Sequence, residues 1–386
     1  MEFILKEEHL MLKEMAKKFT DKELKPRAAE ADINKDLDPV LIEKAVEAGF
    51  FGVCIPEEYD GGGMGEVGYC VLLEELSRGC ASFVTMLGAH LGLATMAVNL
   101  FGNPEQKEKY LKPMARGEYI GAFGLTEPTA GSDAGGVRTK ALPDGDYYIV
   151  NGSKQWITNG DICDVLILFA LTDTEIIKPG GISAFIVEPK KTKGIKVGKI
   201  EKKMGIRASH TVELFFEDVK VPKENLMGKR NRGFRVAMET LDYGRISLSA
   251  GCLGAAKELI ELSLKFASER IQFDKPINTF QMNQEKIAKM ASLTYAMESM
   301  VYRTANLVDN KMKFKKEAAI CKLFCSDALD EIVDMAMQIF GGAGYMEDYP
   351  IERMYRDSRI NRIFEGTNEI QSLVIAGELI KRGSFD

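Results

Sequence analysis

The sequence is poor in the residues that build metal centres and disulfide frameworks. Its 386 residues include only three histidines, and its seven cysteines form no Cys-x-x-Cys pair. The shortage of histidine excludes a histidine-rich metal centre. The scattered, odd-numbered thiols predict a protein without disulfides in a reducing compartment. Cys321 and Cys325 lie four residues apart on a predicted helix, where we expect them to be buried as small apolar side chains.

An excess of basic charge is also missing. The chain has 51 Lys and Arg against 57 Asp and Glu, a net charge of −6. This balance argues against nucleic acid as a main partner, because phosphate binding needs a basic surface. No apolar run suggests a membrane span, and the N-terminal Glu2, Lys6, Glu7 and Glu8 are unlike a signal or transit peptide. We therefore expect a cytoplasmic protein with no membrane partner.

The spacing of apolar residues divides the chain into three parts. In chain order these are an all-α domain, a β domain and an α-helical bundle, at residues 1–118, 119–230 and 231–386. The first part is predicted to start with an amphipathic helix marked by Leu5, Leu10, Leu12 and Met15. Long helices with short connections favour a bundle for the last part.

The middle part contains at least five short β-rich runs. They are Tyr147–Val150, Gln155–Thr158, Asp164–Leu171, Ile182–Val187 and Val212–Phe216. Asn151-Gly152, between the first two runs, is a hairpin signal. Because no helical period interrupts the runs, we predict an antiparallel barrel or sandwich. The fold class is therefore α+β, with the β domain between two helical ones.

Near the C-terminus, Glu365 stands between the apolar pair Ile363-Phe364 and Gly366. Apolar neighbours shield a carboxylate from water, which raises its pKa towards the range useful for proton abstraction. Gly366 has no Cβ and lets a ligand or the backbone approach closely. Thr367 and Asn368 then read as the start of a helix. An exposed glutamate in a loop before a helix is the alternative that these residues leave equally open.

Two further segments suggest a ligand site in the β domain. Residues 121–133 read as a strand that breaks into a loop of small and hydroxyl residues, which could present N–H groups to a flat polar ligand or a phosphate. A structural turn is the alternative. Residues 151–160 contain Trp156, the one tryptophan of the chain. A lone tryptophan on a hairpin is often a core residue, and that alternative also stays open.

Phe364-Glu365-Gly366-Thr367-Asn368-Glu369-Ile370 resembles the catalytic segment of the acyl-CoA dehydrogenase family, and similar segments follow one another across nearly the whole chain. The resemblance implies the same helix–β–helix architecture, FAD as cofactor, a homotetramer, and electron-transfer flavoprotein as the electron acceptor. It implies that Glu365 removes the α-proton of an acyl-CoA thioester. Some members keep this base at the position of Gly244, and the glycine here leaves Glu365 as the base.

The resemblance also implies contacts to the cofactor and substrate. Residues expected to bind FAD within the subunit are Phe123, Leu125, Thr126, Ser132, Trp156, Ile157, Thr158, Thr367, Asn368 and Glu369. Thr158 is expected at the reactive N5 atom of the flavin, and Ser132 at both the flavin phosphate and the coenzyme A arm. Residues expected near the substrate are Ser132, Asp242, Tyr243, Arg245 and Gly366.

A last group resembles segments that hold FAD across a subunit interface. Its members are Arg270, Gln281, Gln338, Gly341 and Gly342. Arg270 is expected to pair with the pyrophosphate, which suits a guanidinium fork. The family usually has glycine where Asp274 stands, and an acid near a pyrophosphate is unfavourable. For Gly341-Gly342 alone, a helix C-cap is the alternative.

Three alternatives share much of this sequence pattern. An acyl-CoA oxidase or an enoyl-CoA reductase would keep the same residues, and a noncatalytic relative would be expected to lose Glu365 or the flavin loop. The chain lacks a G-x-S-x-G elbow. Its one G-x-G-x-x-G match, Gly63 to Gly68, follows a predicted loop instead of a strand, so it is not read as a dinucleotide fingerprint. No arginine lies between Gly79 and Ala115, which by resemblance argues against a dicarboxylic substrate. A short- or medium-chain acyl group is expected, with an alicyclic or aromatic one left open.

Overall fold

The computed structural model describes residues 5–385, so Glu2 lies outside the described part. Helices, a β sheet and more helices follow one another in the predicted order. The N-terminal helices are α1 Glu7–Phe19, α2 Lys25–Asn34, α3 Pro39–Glu47, α4 Gly65–Ser77, α5 Ala81–Gly88, α6 Met96–Phe101 and α7 Pro104–Ala115. The first helix is amphipathic, but it buries His9, Leu12, Ala16 and Phe19. The predicted face was therefore partly wrong: Leu10 is 54% exposed and Met15 42%.

One helical stretch is apolar enough for a membrane. Helices α5 and α6 join through the π-helical turn Ala89–Thr95 into the continuous stretch Ala81–Phe101. Among the described residues it alone has the length and composition of a span, with a mean hydropathy of 1.5. The prediction that no apolar run suggests a membrane span was thus wrong. However, 72% of the 18-residue window that gives this hydropathy is buried inside the protein, as expected for a core helix.

The middle of the chain forms one mixed sheet. Its strands are β1 Gly121–Gly124, β2 Lys140–Asp144, β3 Tyr147–Thr158, β4 Val165–Leu171, β5 Ile182–Val187, β6 Ile195–Ile200, β7 Thr211–Pro222 and β8 Leu226–Met227. They pair in the order β6-β7-β3-β2-β4-β5-β8, with β1 beside β4. Most pairs are antiparallel, but β1 and β2 both pair with β4 in parallel, and the sheet is not closed.

The predicted hairpin at Asn151-Gly152 is wrong. Both residues lie inside the continuous strand β3, where the register against β7 shifts between Val150 and Gly152. A β-bulge, not a turn, therefore uses the glycine. Its φ is +147°, and a Cβ there would lie 2.6 Å from Thr139 Oγ1. The true hairpin joins β2 to β3, with Asp144 paired to Tyr147.

The C-terminal part is a helical bundle built on one long helix. Its elements are α8 Gly233–Glu269, the two-stranded ribbon β9 Ile271–Gln272 and β10 Lys275–Pro276, α9 Gln281–Asp309, α10 Lys315–Phe340, α11 Ile351–Ser358 and α12 Asn368–Arg382. Cys321 and Cys325 are buried, as predicted. Thr367 caps α12, its hydroxyl accepting from the N–H of Ile370 at 3.3 Å. This cap fixes the point at which the segment of Glu365 meets the bundle.

Candidate active site

A cavity of about 1270 Å³ lies between the sheet and the helices. Of the residues predicted to form the site, eleven line it. They are Phe123, Leu125, Thr126, Ser132, Trp156, Ile157, Thr158, Arg245, Glu365, Gly366 and Thr367. Helix α5 lines it with Val84, Thr85 and Gly88. Segments far apart in sequence thus converge on one space large enough for more than one ligand, since single-ligand sites are typically about 300–1,000 Å³.

The backbone at Glu365 is held in an unusual conformation. Glu365 has a φ of 56° and Gly366 of 89°, a region that disfavours side chains with a Cβ. Gln371 donates to the carbonyl oxygens of both residues, at 3.2 and 3.0 Å, and Arg245 Nε to that of Glu365 at 3.4 Å. The left-handed backbone is therefore held by the first turn of α12 and by α8, as strain at a functional site requires.

The glutamate side chain fills the space that Gly244 leaves open. A Cβ on Gly244 would lie 2.4 Å from Glu365 Oε2 and 3.0 Å from Leu93 Cδ2. Oε2 is buried and has no hydrogen-bond partner among the described residues. Burial raises the pKa of Glu365 from its ordinary 4.5 to about 7, and Arg245 and Lys322 limit this rise. The carboxyl group is therefore suited to accept or return a proton near neutral pH.

Arg245 is fixed by an acid on the same helix. Its Nη1 donates to Asp242 Oδ1 at 2.5 Å, and both side chains are buried. Burial raises the pKa of Asp242 to about 6, with Arg245 opposing the rise. Asp242 and Tyr243 do not line the main cavity, and Tyr243 packs edge-on against Phe314. The structure therefore gives Asp242 a clear part in orienting Arg245, and its substrate contact stays a prediction.

A buried ion pair, which the sequence reasoning missed, ties the two β-domain segments together. Lys154 Nζ donates to Glu127 Oε1 at 2.8 Å and to the carbonyl of Leu125 at 3.0 Å. Glu127 also accepts from the backbone N–H groups of Arg138 and Thr139. Burial lowers the pKa of Lys154 to about 8, against the opposing effect of Glu127. Glu127 and Lys154 lie 27 residues apart, and no local sequence pattern indicated that they form an ion pair.

Trp156 is not a core residue. It is 56% exposed, lines the cavity and has a φ of 59°. The register of β3 against β7 shifts between Lys154 and Ile157, so the tryptophan sits on a β-bulge. The neighbouring Gln155 N–H donates to the carbonyl of Thr126 at 2.9 Å. Bulges re-aim side chains next to binding sites, and this one directs a large flat ring into the space.

The cavity is more basic than the chain as a whole. Nine of its lining residues are cationic and five are acidic, although the net charge of the protein is −6. The cations are Lys25, Arg78, Lys178, Lys202, Lys203, Arg245, Arg353, Arg356 and Arg359; the acids are Asp133, Glu201, Glu258, Asp357 and Glu365. A positive lining in an acidic protein favours anionic ligands such as phosphate esters.

The residues expected across a subunit interface lie apart from this cavity. Arg270, Gln281, Gln338, Gly341 and Gly342 are exposed on the bundle. Arg270 and Gly342 line a second space of about 420 Å³, whose wall includes the stacked rings of Phe266 and Phe340. Nothing within the described chain completes a site here, so their cofactor contact stays a prediction that requires a second copy.

The turn between β9 and β10 accommodates Asp274, which stands where the family usually has glycine. It follows Phe273 in the two-residue turn between β9 and β10, where Gln272 pairs with Lys275. Both turn residues have positive φ, 51° and 62°, as in the turns in which glycine is common. Aspartate tolerates this conformation better than most residues. Phe273, at the tip, is 86% exposed.

Asn368 and Glu369 also lie outside the cavity lining. The amide oxygen of Asn368 accepts from Lys322 Nζ at 2.7 Å, and its nitrogen donates to Ser326 Oγ and Asp327 Oδ1, both at 2.9 Å. Its side chain is therefore fully used inside the protein, and the structure gives no support to its predicted contact with the cofactor. Lys322, fully buried on α10, was missed, since a single lysine in a helix carries no sequence signal.

Known protein families match all three parts of this chain. Models of the N-terminal, middle and C-terminal acyl-CoA dehydrogenase domains match residues 6–118, 122–219 and 231–380. A short-chain specific acyl-CoA dehydrogenase of Clostridium acetobutylicum is 42% identical, over 99% of this chain and all of its own. An acryloyl-CoA reductase (NADH) of Anaerotignum propionicum is 45% identical, over 99% of this chain and 97% of its own.

The solved structures agree. A chain from a study of the electron transferring flavoprotein of Acidaminococcus fermentans superposes with a TM-score of 0.96 and 45% identity, covering 99% of this chain and 100% of its own. With three domain matches and full-length relatives above 40% identity, the chain belongs to the acyl-CoA dehydrogenase family.

Proposed function

We propose that the protein is an FAD-dependent acyl-CoA dehydrogenase that converts an acyl-CoA thioester to its trans-2-enoyl-CoA. The observation that carries the proposal is Oε2 of Glu365, which is buried beside Gly244 without a hydrogen-bond partner among the described residues, in a cavity with basic lining. A carboxyl group with a pKa of about 7 is a suitable base for an α-proton at neutral pH.

The residues present fit FAD, the cofactor of this family. Trp156 offers an exposed ring on a strained bulge, and the Lys154–Glu127 pair fixes the neighbouring loop. The basic lining suits the phosphates of both FAD and coenzyme A. When bound, FAD supplies the acceptor for the hydride that leaves the β-carbon. Phe123, Leu125, Thr126, Ser132, Trp156, Ile157, Thr158, Thr367 and Glu369 are proposed to hold it.

The protein's own part is to activate the thioester and take its proton. Glu365 Oε2 accepts the proton from the α-carbon. Among the described residues, no backbone carbonyl accepts the amide hydrogen of Glu365, which leaves that N–H for the thioester oxygen, where charge develops. Arg245 and Gln371 hold the carbonyls of this segment, so the N–H and the carboxylate keep one arrangement. Ser132, Arg245 and Gly366 are proposed to contact the substrate.

The proposal extends to the electron acceptor, the oligomeric state and the location of the enzyme. Electron-transfer flavoprotein is proposed as the acceptor, in keeping with the structural relative from a study of such a flavoprotein. A homotetramer is proposed because Arg270, Gln281, Gln338, Gly341 and Gly342 are exposed and lack a site within their own chain. A cytoplasmic location completes it. The relative named as short-chain specific supports a short acyl group.

Reduction of an enoyl-CoA is the second candidate, favoured by the relative named as an acryloyl-CoA reductase. The same Glu365, protonated, would return a proton to the α-carbon. A pKa of about 7 leaves both forms populated near neutral pH, so the site itself serves either direction.

The direct test is flavin bleaching by a panel of acyl-CoAs of different length under anaerobic conditions. Bleaching by the wild type and its loss in Glu365→Gln, at unchanged FAD content, is the expected result, with a decrease of about 10²–10⁴-fold. A variant that keeps a tenth or more of the wild-type rate would place the base elsewhere. Rapid oxygen consumption without an added acceptor would identify an oxidase instead.

A further inference from the structure

Lys322 is a buried lysine inside the C-terminal helical bundle. It is fully buried on α10, and its Nζ donates to the side-chain oxygen of Asn368 at 2.7 Å. Asn368 is the first residue of α12 and lies three residues after Glu365. Burying a charge costs roughly several kcal/mol of folding free energy unless an opposite charge or strong hydrogen bonds offset this cost. A neutral amide is a weak partner for such a cation.

The amide network around Asn368 joins α10 to the Glu365 segment. Besides accepting from Lys322, Asn368 donates to Ser326 and Asp327, both on α10. Gln371, one turn further along α12, donates to the carbonyls of Glu365 and Gly366. The position of the glutamate backbone is thus linked through α12 to the lysine.

The charged and titratable groups around Glu365 come from three helices. Helix α8 contributes Arg245, paired with Asp242, and the thiol of Cys252. Helix α4 contributes the phenol of Tyr69, and α10 contributes Lys322. Arg245 and Lys322 are the two cations that lower the pKa of Glu365, against the larger effect of burial. Arg245 is paired with Asp242, whereas Lys322 has no hydrogen-bonded carboxylate among the described residues and has Asp327 as a nearby acid.

We propose that Lys322 is a positioning residue for the base: through Asn368 it fixes the Glu365 segment, and its buried charge favours the ionised form of Glu365 before the substrate arrives. The inference rests on the proposed dehydrogenation. Lys322 lowers the pKa of Glu365, as Arg245 also does, because a buried positive charge favours the ionised carboxylate. Together with Arg245, the lysine would therefore lower the pH at which the base becomes active.

The test is the pH dependence of flavin bleaching by an acyl-CoA that bleaches the wild type. In Lys322→Met, a shape-conserving change, we expect the acid limb of the rate profile to move up by about one pH unit, which makes bleaching about tenfold slower below the midpoint. Lys322→Gln keeps a donor for Asn368 and removes only the charge, so it should shift the midpoint as well. Lys289→Met removes a surface lysine paired with Glu331 and should leave the profile unchanged.

Each outcome separates the two proposals. A wild type that no acyl-CoA bleaches would overturn the proposed function itself. A bleaching wild type with unshifted midpoints in both Lys322 variants, each with full FAD content, would overturn only the part given to Lys322. If neither variant folds and retains FAD, the lysine is structural and the electrostatic inference is likewise overturned.

Discussion

Gly244 and Glu365 share one volume: a Cβ on the glycine would lie 2.4 Å from the carboxylate oxygen of the glutamate. By resemblance, the sequence indicated only that a glycine at position 244 leaves Glu365 as the base. The structure shows that it makes room for the base, so that α8 can pass directly beneath the carboxylate. The two positions can therefore not both carry a large side chain without rearrangement.

Gly244→Ala should slow flavin bleaching by displacing Glu365. In a helix interior alanine is more stable than glycine by about 0.5–1 kcal/mol, but here the clash offsets this gain. Gly377→Ala on α12, where a Cβ meets nothing within 4 Å, is the matched control and should raise the melting temperature without changing the rate. Equal rates for wild type and Gly244→Ala would show that Glu365 does not need its present position.

Glu365→Gln should change how stability depends on pH. Because the folded protein raises the pKa of Glu365 from 4.5 to about 7, the folded state binds the proton more tightly than the unfolded chain. Its contribution is fully present below about pH 4.5 and is lost as pH rises through about 7. The FAD-loaded variant, whose amide never ionises, should exceed wild type in unfolding free energy by up to about 3 kcal/mol at alkaline pH.

Chemical denaturation of both proteins on either side of this window measures the effect. Glu66, whose burial and neighbour Asp309 raise its pKa to about 8, is present in both and cancels in the comparison. A stability difference that is the same at acid and alkaline pH would contradict the raised pKa of Glu365.

Lys154→Met should destabilise the β domain and weaken FAD retention. It leaves Glu127 buried without its cation, a change that typically costs about 3–5 kcal/mol. Adding Glu127→Gln should recover part of the loss. As a control, Lys196→Met breaks the exposed pair with Glu217 in the same sheet and should cost about 1 kcal/mol or less. Thermal unfolding and the FAD content after gel filtration distinguish the variants.

Arg270→Ala should release FAD more readily while leaving turnover of the FAD-saturated enzyme close to that of wild type. Its side chain is exposed and remote from Glu365, as expected of a residue that pairs with a pyrophosphate. Arg235→Ala removes an arginine paired with Glu239 on the surface of α8 and serves as the control. Unchanged FAD binding with crippled turnover at added FAD would refute the assignment.

The sequence predicted best where function or periodicity constrains a local segment. Glu365, its glycine and the cap at Thr367 follow one another in the chain, so their chemistry could be read directly. The order of helices and strands followed from hydrophobic periods. The same local reasoning failed at Asn151-Gly152, where a turn signal serves a bulge inside a long strand.

Residues that act through distant partners escaped prediction. Lys154 meets Glu127 across 27 residues, and Lys322 meets Asn368 across 46. A buried lysine is indistinguishable in sequence from a surface lysine, because its partner is fixed only by tertiary packing. Trp156 is the reverse of these buried lysines, since it is a large apolar residue that is exposed. Its side-chain type left a core position open, and the family resemblance implied a cofactor contact; its backbone conformation, which the sequence does not show, turns it into the cavity.

The basic lining of the cavity has a kinetic consequence. A cleft of one sign in a protein of the other sign attracts its ligand from solution and raises the encounter rate, and dissolved salt weakens this attraction. We expect association of a coenzyme A thioester to slow as ionic strength rises. Association of the same acyl group on a pantetheine without phosphates should hardly respond. The cations would thus select for the carrier of the acyl group and not for the acyl group itself.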